Sequence, residues 1–164
     1  MKPKLHYLDP NPVGVSAVLL LHGLGANSTS WALQFETLIA AGLRPIAPDI
    51  AGFGDSKYDG RGWSFNRVAR DLVDLLDCLK ITSVNVVGLS MGGVIAQQFI
   101  LDFPRYVRKL VLISTFAALR PTSISQWFYF YKNEFAKQLV SSQSKQTLKE
   151  TSRINKNIIF NIPR

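Results

Sequence analysis

Short apolar runs alternate with longer amphipathic stretches along the first two-thirds of the chain. Residues 17–21 are apolar without interruption and are bounded by turn formers, the pattern of a parallel strand buried on both faces. Residues 22–30 are rich in Gly, Asn, Ser and Thr and predict a loop ending in helix N-caps. A helix follows over 31–41, with Trp31, Phe35, Leu38 and Ile39 on one face and a stop at Gly42. A second strand is predicted at 44–48. The loop at 49–64 is Gly- and Asp-rich, and Asp49 and Asp55 read there as turn formers. Asn66 is expected to cap a helix in which Val68, Leu72, Leu75, Leu76 and Leu79 recur at helical spacing. A third strand at 84–87, a helix at 92–102 and a fourth strand at 110–113 complete the series.

This order predicts an α/β fold, a mostly parallel sheet covered by helices on both faces, with right-handed crossovers fixing most of the topology. Near residue 117 the rhythm stops. Residues 123–142 read as helical and contain the aromatic cluster Trp127, Phe128, Tyr129, Phe130 and Tyr131, expected to pack a helix onto the body. Residues 143–157 are polar and Lys-rich, 158–160 are a short apolar remnant, and no fifth strand is predicted. The division expected is a core over 1–118 and a separate segment over 119–164.

Composition narrows the classes. The 164 residues suit one domain, and with 47% apolar and 18% charged residues the chain is neither disordered nor fibrous. No apolar run approaches the roughly 18 residues of a membrane span, and the N-terminus lacks the apolar core of a secretion signal. Cys78 is the single cysteine, which excludes an intrachain disulfide and fits a reducing cytoplasm. With only His6 and His22 beside it, a structural zinc site cannot be assembled, and no metal or cofactor is expected. The net charge of +8 lies wholly in the second half, where 11 Lys/Arg face 3 Asp/Glu over 81–164. These basic residues are spaced out and no recognition motif accompanies them, so a solvated helical face is expected and nucleic acid is not.

The candidate chemistry sits at the third strand. Gly88, Ser90 and Gly92 form Gly-x-Ser-x-Gly between a buried strand and a helix. The turn there is too tight for side chains at its flanks, so the two glycines are needed and the central serine is thrust out of the sheet. Ser90 Oγ would lie at a helix N-terminus, where free N–H groups and the dipole favour an oxyanion. His22, Gly23, Leu24 and Gly25 leave an earlier strand at the same edge of the sheet. In a nucleophile elbow one oxyanion donor follows the serine and the other comes from such a loop, which assigns the N–H groups of Met91 and Leu24. Gly23, Gly25 and Ser28, with Asp49 as a ribose ligand, also imitate a dinucleotide fingerprint, but Ser28 replaces its third glycine and the elbow is left unexplained.

The sequence resembles the α/β-hydrolase superfamily, in its branch of esterases, lactonases, C–C bond hydrolases and peroxidase-like enzymes. The resemblance rests on Leu-Leu-Leu-His-Gly-Leu-Gly (19–25), Pro-Asp-Ile-Ala-Gly-Phe-Gly-Asp-Ser (48–56), Val-Val-Gly-Leu-Ser-Met-Gly-Gly (86–93) and Phe-Pro-Arg-Tyr-Val-Arg-Lys-Leu-Val-Leu-Ile (103–113). It implies an α/β-hydrolase core, a serine nucleophile and a small ester-like carbonyl substrate, with residues from about 120 starting a helical cap. It also implies the chain order nucleophile, acid, histidine.

Here the chain departs from the family. No histidine follows Ser90, and the later carboxylates are only Asp102, Glu134 and Glu150. Ser114 and Thr115, where an acid could follow the fourth strand, are not carboxylates. His22 belongs to the oxyanion loop and His6 to an N-terminal edge segment. The chain therefore reads as the first two-thirds of a hydrolase, truncated before its acid and base. A non-catalytic small-ligand binder and an inactive fragment are the alternatives. Truncation would also leave residues 110–113 as an unpaired apolar edge, open to self-association.

Overall fold

A computed structural model describes residues 3–60, 62–116 and 158–160. The elements run β1 (Tyr7–Leu8), β2 (Ser16–Leu21), a 3-10 turn (Ser28–Trp31), α1 (Ala32–Ala40), β3 (Leu43–Pro48), α2 (Phe65–Cys78) and β4 (Val84–Leu89). They continue with α3 (Met91–Asp102), a 3-10 turn (Pro104–Tyr106), β5 (Val107–Ile113) and β6 (Ile158–Phe160). The strands form one sheet in the order β1-β3-β2-β4-β5-β6. β1 is antiparallel to β3, and every other neighbouring pair is parallel.

β2 is central, with Leu19 paired to Ile46 on one side and Val86 on the other. That position explains its unbroken apolar run, because both faces are covered by helices. Leu19 and Leu21 share one core with Val86, Leu110 and the buried sides of α2 and α3. Val18 and Leu20 point to the opposite face, where Trp31 is buried and Phe35 and Leu38 of α1 pack. α2 buries Phe65, Val68, Ala69, Leu72, Leu75 and Leu76. Each fully buried aliphatic side chain among these contributes about 1.5–3 kcal/mol relative to exposure. α3 is buried nearly all round, from Met91 through Gln97 and on to Ile100, as befits a helix wedged between the sheet and α2.

The structure corrects three local readings. The cap of α2 is Ser64, whose Oγ accepts the Arg67 N–H at 3.3 Å, while the Asn66 amide donates to Asp102 at the end of α3. A short antiparallel strand, β1, precedes the expected alternation. Ile158–Phe160 is a strand, paired parallel with β5 through Leu110, Val111 and Leu112. The edge expected to lie open at 110–113 is therefore covered along those three positions, and β6 is the outermost strand on that side among the described residues. The helical cap expected over 119–164, with its aromatic cluster at 127–131, lies outside the described residues apart from β6. Among the described residues no helix is long and apolar enough to cross a membrane.

Candidate functional site

Ser90 alone separates β4 from α3. Its backbone lies at φ 52° and ψ −114°, in the positive-φ region that a non-glycine residue enters only at a cost of roughly 1–3 kcal/mol. The flanking glycines have steric reasons. A Cβ on Gly88 would stand 2.5 Å from the Gly92 carbonyl oxygen, and a Cβ on Gly92 would overlap the Leu21 carbonyl. The elbow thus closes directly on the end of β2. The Ser90 N–H donates to the Ile113 carbonyl at 3.0 Å, and its own carbonyl accepts the Gly93 N–H at 2.9 Å.

The loop after β2 meets the elbow because Leu21 and Gly88 are register partners at the ends of adjacent parallel strands. A Cβ on Gly23 would lie 3.6 Å from Ser90 Cβ. Residues 23–26 form a turn closed by the Ala26 N–H on the Gly23 carbonyl at 3.2 Å, with Gly25 at φ 74° in its third position. The turn's own bond does not use the N–H of Leu24, and Leu24 is 59% exposed. Met91 is the first residue of α3, so its N–H has no acceptor within the helix. The strand topology therefore brings Ser90, Gly23, Leu24 and Met91 to one edge of the sheet.

His22 is fully buried, and both of its ring nitrogens are engaged by main chain. Nε2 accepts the Ile50 N–H at 3.1 Å, so the proton is on Nδ1, which donates to the Gly23 carbonyl at 2.8 Å. Burial pushes the imidazole below its ordinary pKa of 6.5; the Gly23 carbonyl and the Asp49 charge oppose this only in part. His22 is thus a neutral brace of the loop. It has no free nitrogen for the serine hydroxyl.

Asp49 is a residue that sequence reasoning undervalued. Instead of forming an exposed turn, its carboxylate is 2% exposed and gathers three segments. Oδ1 accepts the Ser28 N–H at 2.6 Å, and Oδ2 accepts the Asp55 N–H at 2.8 Å and the His6 Nδ1–H at 3.0 Å. Burial disfavours the charge, yet the Asp55 and Ser28 donors together with His6 outweigh it, and the pKa falls below 3.8. The available signal was a lone carboxylate after the apolar run of β3, which must find donors once buried. This inward placement also removes Asp49 as a ribose ligand, and with it the dinucleotide reading. His6, Asp49 and Asp55 bring three ligand-type atoms within 4.8 Å of one another. The oxygens of Asp49 already serve N–H donors, so the cluster is a hydrogen-bonded brace rather than a metal cage.

A groove of about 170 Å³ lies elsewhere, lined by Lys4, Leu5, Tyr58, Trp63, Arg67 and Asp71 among others, none of them from the elbow or the 22–25 loop.

A family model described as the alpha/beta hydrolase fold matches residues 16–143. The 2-hydroxy-6-oxononadienedioate/2-hydroxy-6-oxononatrienedioate hydrolase of Paraburkholderia xenovorans is 41% identical over 116 residues, covering 67% of this chain and 39% of that protein. The poly(3-hydroxyalkanoate) depolymerase of Ectopseudomonas oleovorans is 35% identical over 108 residues, 66% of this chain and 38% of that protein. The solved structure of a thermophilic esterase from Thermogutta terrifontis superposes with a TM-score of 0.69 at 31% identity, over 78% of this chain and 46% of the esterase. The chain spans less than half the length of each of these three proteins.

Proposed function

Because the chain belongs to the alpha/beta hydrolase fold family, we propose that it supplies the nucleophile and oxyanion hole of a serine hydrolase acting on a carboxylic ester or a related small carbonyl compound. The observation that carries this reading is the strained one-residue elbow at Ser90 with Gly23 packed beside it. In the proposed reaction Ser90 Oγ attacks the carbonyl carbon, and the oxygen that becomes negative is received by the N–H groups of Met91 and Leu24. Collapse expels the alcohol and leaves an acyl-serine, which water then cleaves. The relatives named hydrolase, depolymerase and esterase support a substrate with a cleavable bond at a carbonyl carbon.

The proton of Ser90 needs an acceptor. Both histidines precede Ser90 in the sequence; the ring nitrogens of His22 are occupied, and His6 faces Asp49 and Asp55. Asp102 accepts the amides of Asn66 and Gln98 at the far end of α3 from Ser90, and the proposal does not use it as the acid. The reading therefore assigns acid and base to sequence corresponding to the relatives' remaining length. The free thiol of Cys78 supports a reducing, cytoplasmic setting.

The test is hydrolysis of a short-chain p-nitrophenyl ester by the 164-residue chain and by Ser90→Ala. The expected rate is at most about 10³–10⁴ over water, the residue that the oxyanion hole and binding leave when a triad lacks its base. Imidazole added as an external base raises it above imidazole's own background in the 164-residue chain but not in Ser90→Ala. Equal imidazole-dependent rates for the two proteins would overturn the assignment of Ser90.

A further inference from the structure

Both main-chain groups of Ser90 are held from the end of β5. Its N–H donates to Ile113, and its carbonyl oxygen accepts the Thr115 hydroxyl at 2.6 Å. Between these two residues Ser114 takes φ 46°, at the bend where the chain leaves β5 beside the elbow. Space for Thr115 comes from Gly93, where a Cβ would stand 2.5 Å from both Cβ and Oγ1 of the threonine. Gly93 lies outside the Gly-x-Ser-x-Gly motif, and this contact gives it a reason. The buried amide of Gln97 completes the attachment, with Nε2 donating to the Phe116 carbonyl at 3.0 Å and to the Gly93 carbonyl at 3.1 Å.

We propose that Thr115 is a positioning residue for the oxyanion hole, acting through the Ser90–Met91 peptide. The inference rests on the serine hydrolase reading above. A peptide unit is planar and trans, so fixing the direction of the Ser90 C=O fixes the opposed direction of the Met91 N–H. That N–H is the donor assigned to the developing oxyanion. The hydroxyl on the carbonyl also polarises the peptide and strengthens its N–H as a donor. The carbonyl accepts the Gly93 N–H as well, and the Val94 N–H at 3.3 Å, but both lie along the helix and leave the peptide free to tilt about its axis. The threonine approaches from β5 and removes that freedom. An oxyanion donor is sensitive to such tilt, since its worth depends on aim at the oxygen of the transition state and not of the ground state.

The test compares the wild-type chain, Ser90→Ala, Thr115→Val and Thr115→Ser. Two readouts are taken: formation of acetyl-Ser90 from p-nitrophenyl acetate with imidazole supplied as an external base, followed by mass, and the amide ¹H–¹⁵N signal of Met91. Thr115→Val keeps the shape and removes the hydroxyl, and is expected to slow acetylation roughly tenfold and shift the Met91 signal. Thr115→Ser is expected to restore both, which a merely structural loss of packing would not allow. Wild-type acetylation in Thr115→Val, with Ser90→Ala unreactive, would overturn the role of Thr115 and leave the hydrolase reading standing. If no acetyl-Ser90 forms in the wild type even with imidazole present, the hydrolase reading has failed and this proposal fails with it.

Discussion

The ring of His22 accepts the N–H of Ile50 through Nε2 at 3.1 Å, across 28 residues of sequence, and so locks the loop after β2 to the loop after β3. Replacing His22 with Phe would keep the volume but leave the buried Ile50 N–H without its acceptor. An unsatisfied buried donor costs about 1–3 kcal/mol, and the urea midpoint of His22→Phe should fall accordingly.

The same ring makes stability depend on pH in a stated direction. Above its ordinary value of 6.5 the imidazole is neutral in folded and unfolded chains alike, and contributes no slope. Below that value the unfolded chain takes a proton that the buried ring resists, so stability falls as pH drops from 6.5 toward the lower folded value. Asp49 adds a second loss, from 3.8 downward, as protons bind the unfolded carboxyl before the folded one. Urea melts at pH 7.5 and pH 5.5 should show the first decline, and His22→Phe should flatten it.

Asp49 and Asp55 separate by burial. Asp49→Ala strips acceptors from the N–H groups of Ser28 and Asp55 and from His6, and is expected to cost about 2–3 kcal/mol. Asp55 has a side chain 83% exposed, and Asp55→Ala should stay within about 0.5 kcal/mol of wild type. Equal losses in thermal denaturation would show that Asp49 does not hold these loops together.

Gly92→Ala tests the closeness of the elbow to β2. Its Cβ would overlap the Leu21 carbonyl, and backbone cannot yield as a flexible side chain can. The expected cost is about 1–3 kcal/mol, with loss of Ser90 acetylation in whatever remains folded.

α2 ends in a Schellman arrangement, with the Ile81 N–H on the Leu76 carbonyl at 2.9 Å and the Lys80 N–H on the Asp77 carbonyl at 3.0 Å. The left-handed residue is Lys80 at φ 58°, exposed, where glycine is usual. Lys80→Gly relieves about 1–2 kcal/mol of backbone cost and adds about 0.5–1 kcal/mol of unfolded-state entropy. A gain of roughly 0.5 kcal/mol is the net expected, visible as a raised melting temperature.

What the sequence made legible was local in pattern. The apolar run of β2, the helical spacing in α2 and the glycines at 88 and 92 each show within a few consecutive residues, and each appears in the structure where expected, although the need for Gly92 comes from Leu21 on another strand. Asp49 was read as a turn residue because its partners lie 21 and 43 residues away, and no spacing rule joins Ser28, Asp49 and His6. Thr115 reads in the sequence only as a position where an acid is lacking. Its hydroxyl matters through a carbonyl 25 residues earlier, and that contact exists only once β4 and β5 are side by side. β6 was missed because three apolar residues after a long polar stretch carry no periodicity to read.

The central claim, a poised Ser90 without a base among the described residues, is tested most directly by a fluorophosphonate probe with and without added imidazole. The account predicts little labelling of the 164-residue chain alone, and imidazole-dependent labelling that maps to Ser90 and disappears in Ser90→Ala. Rapid stoichiometric labelling without imidazole, or labelling unchanged in Ser90→Ala, would contradict it.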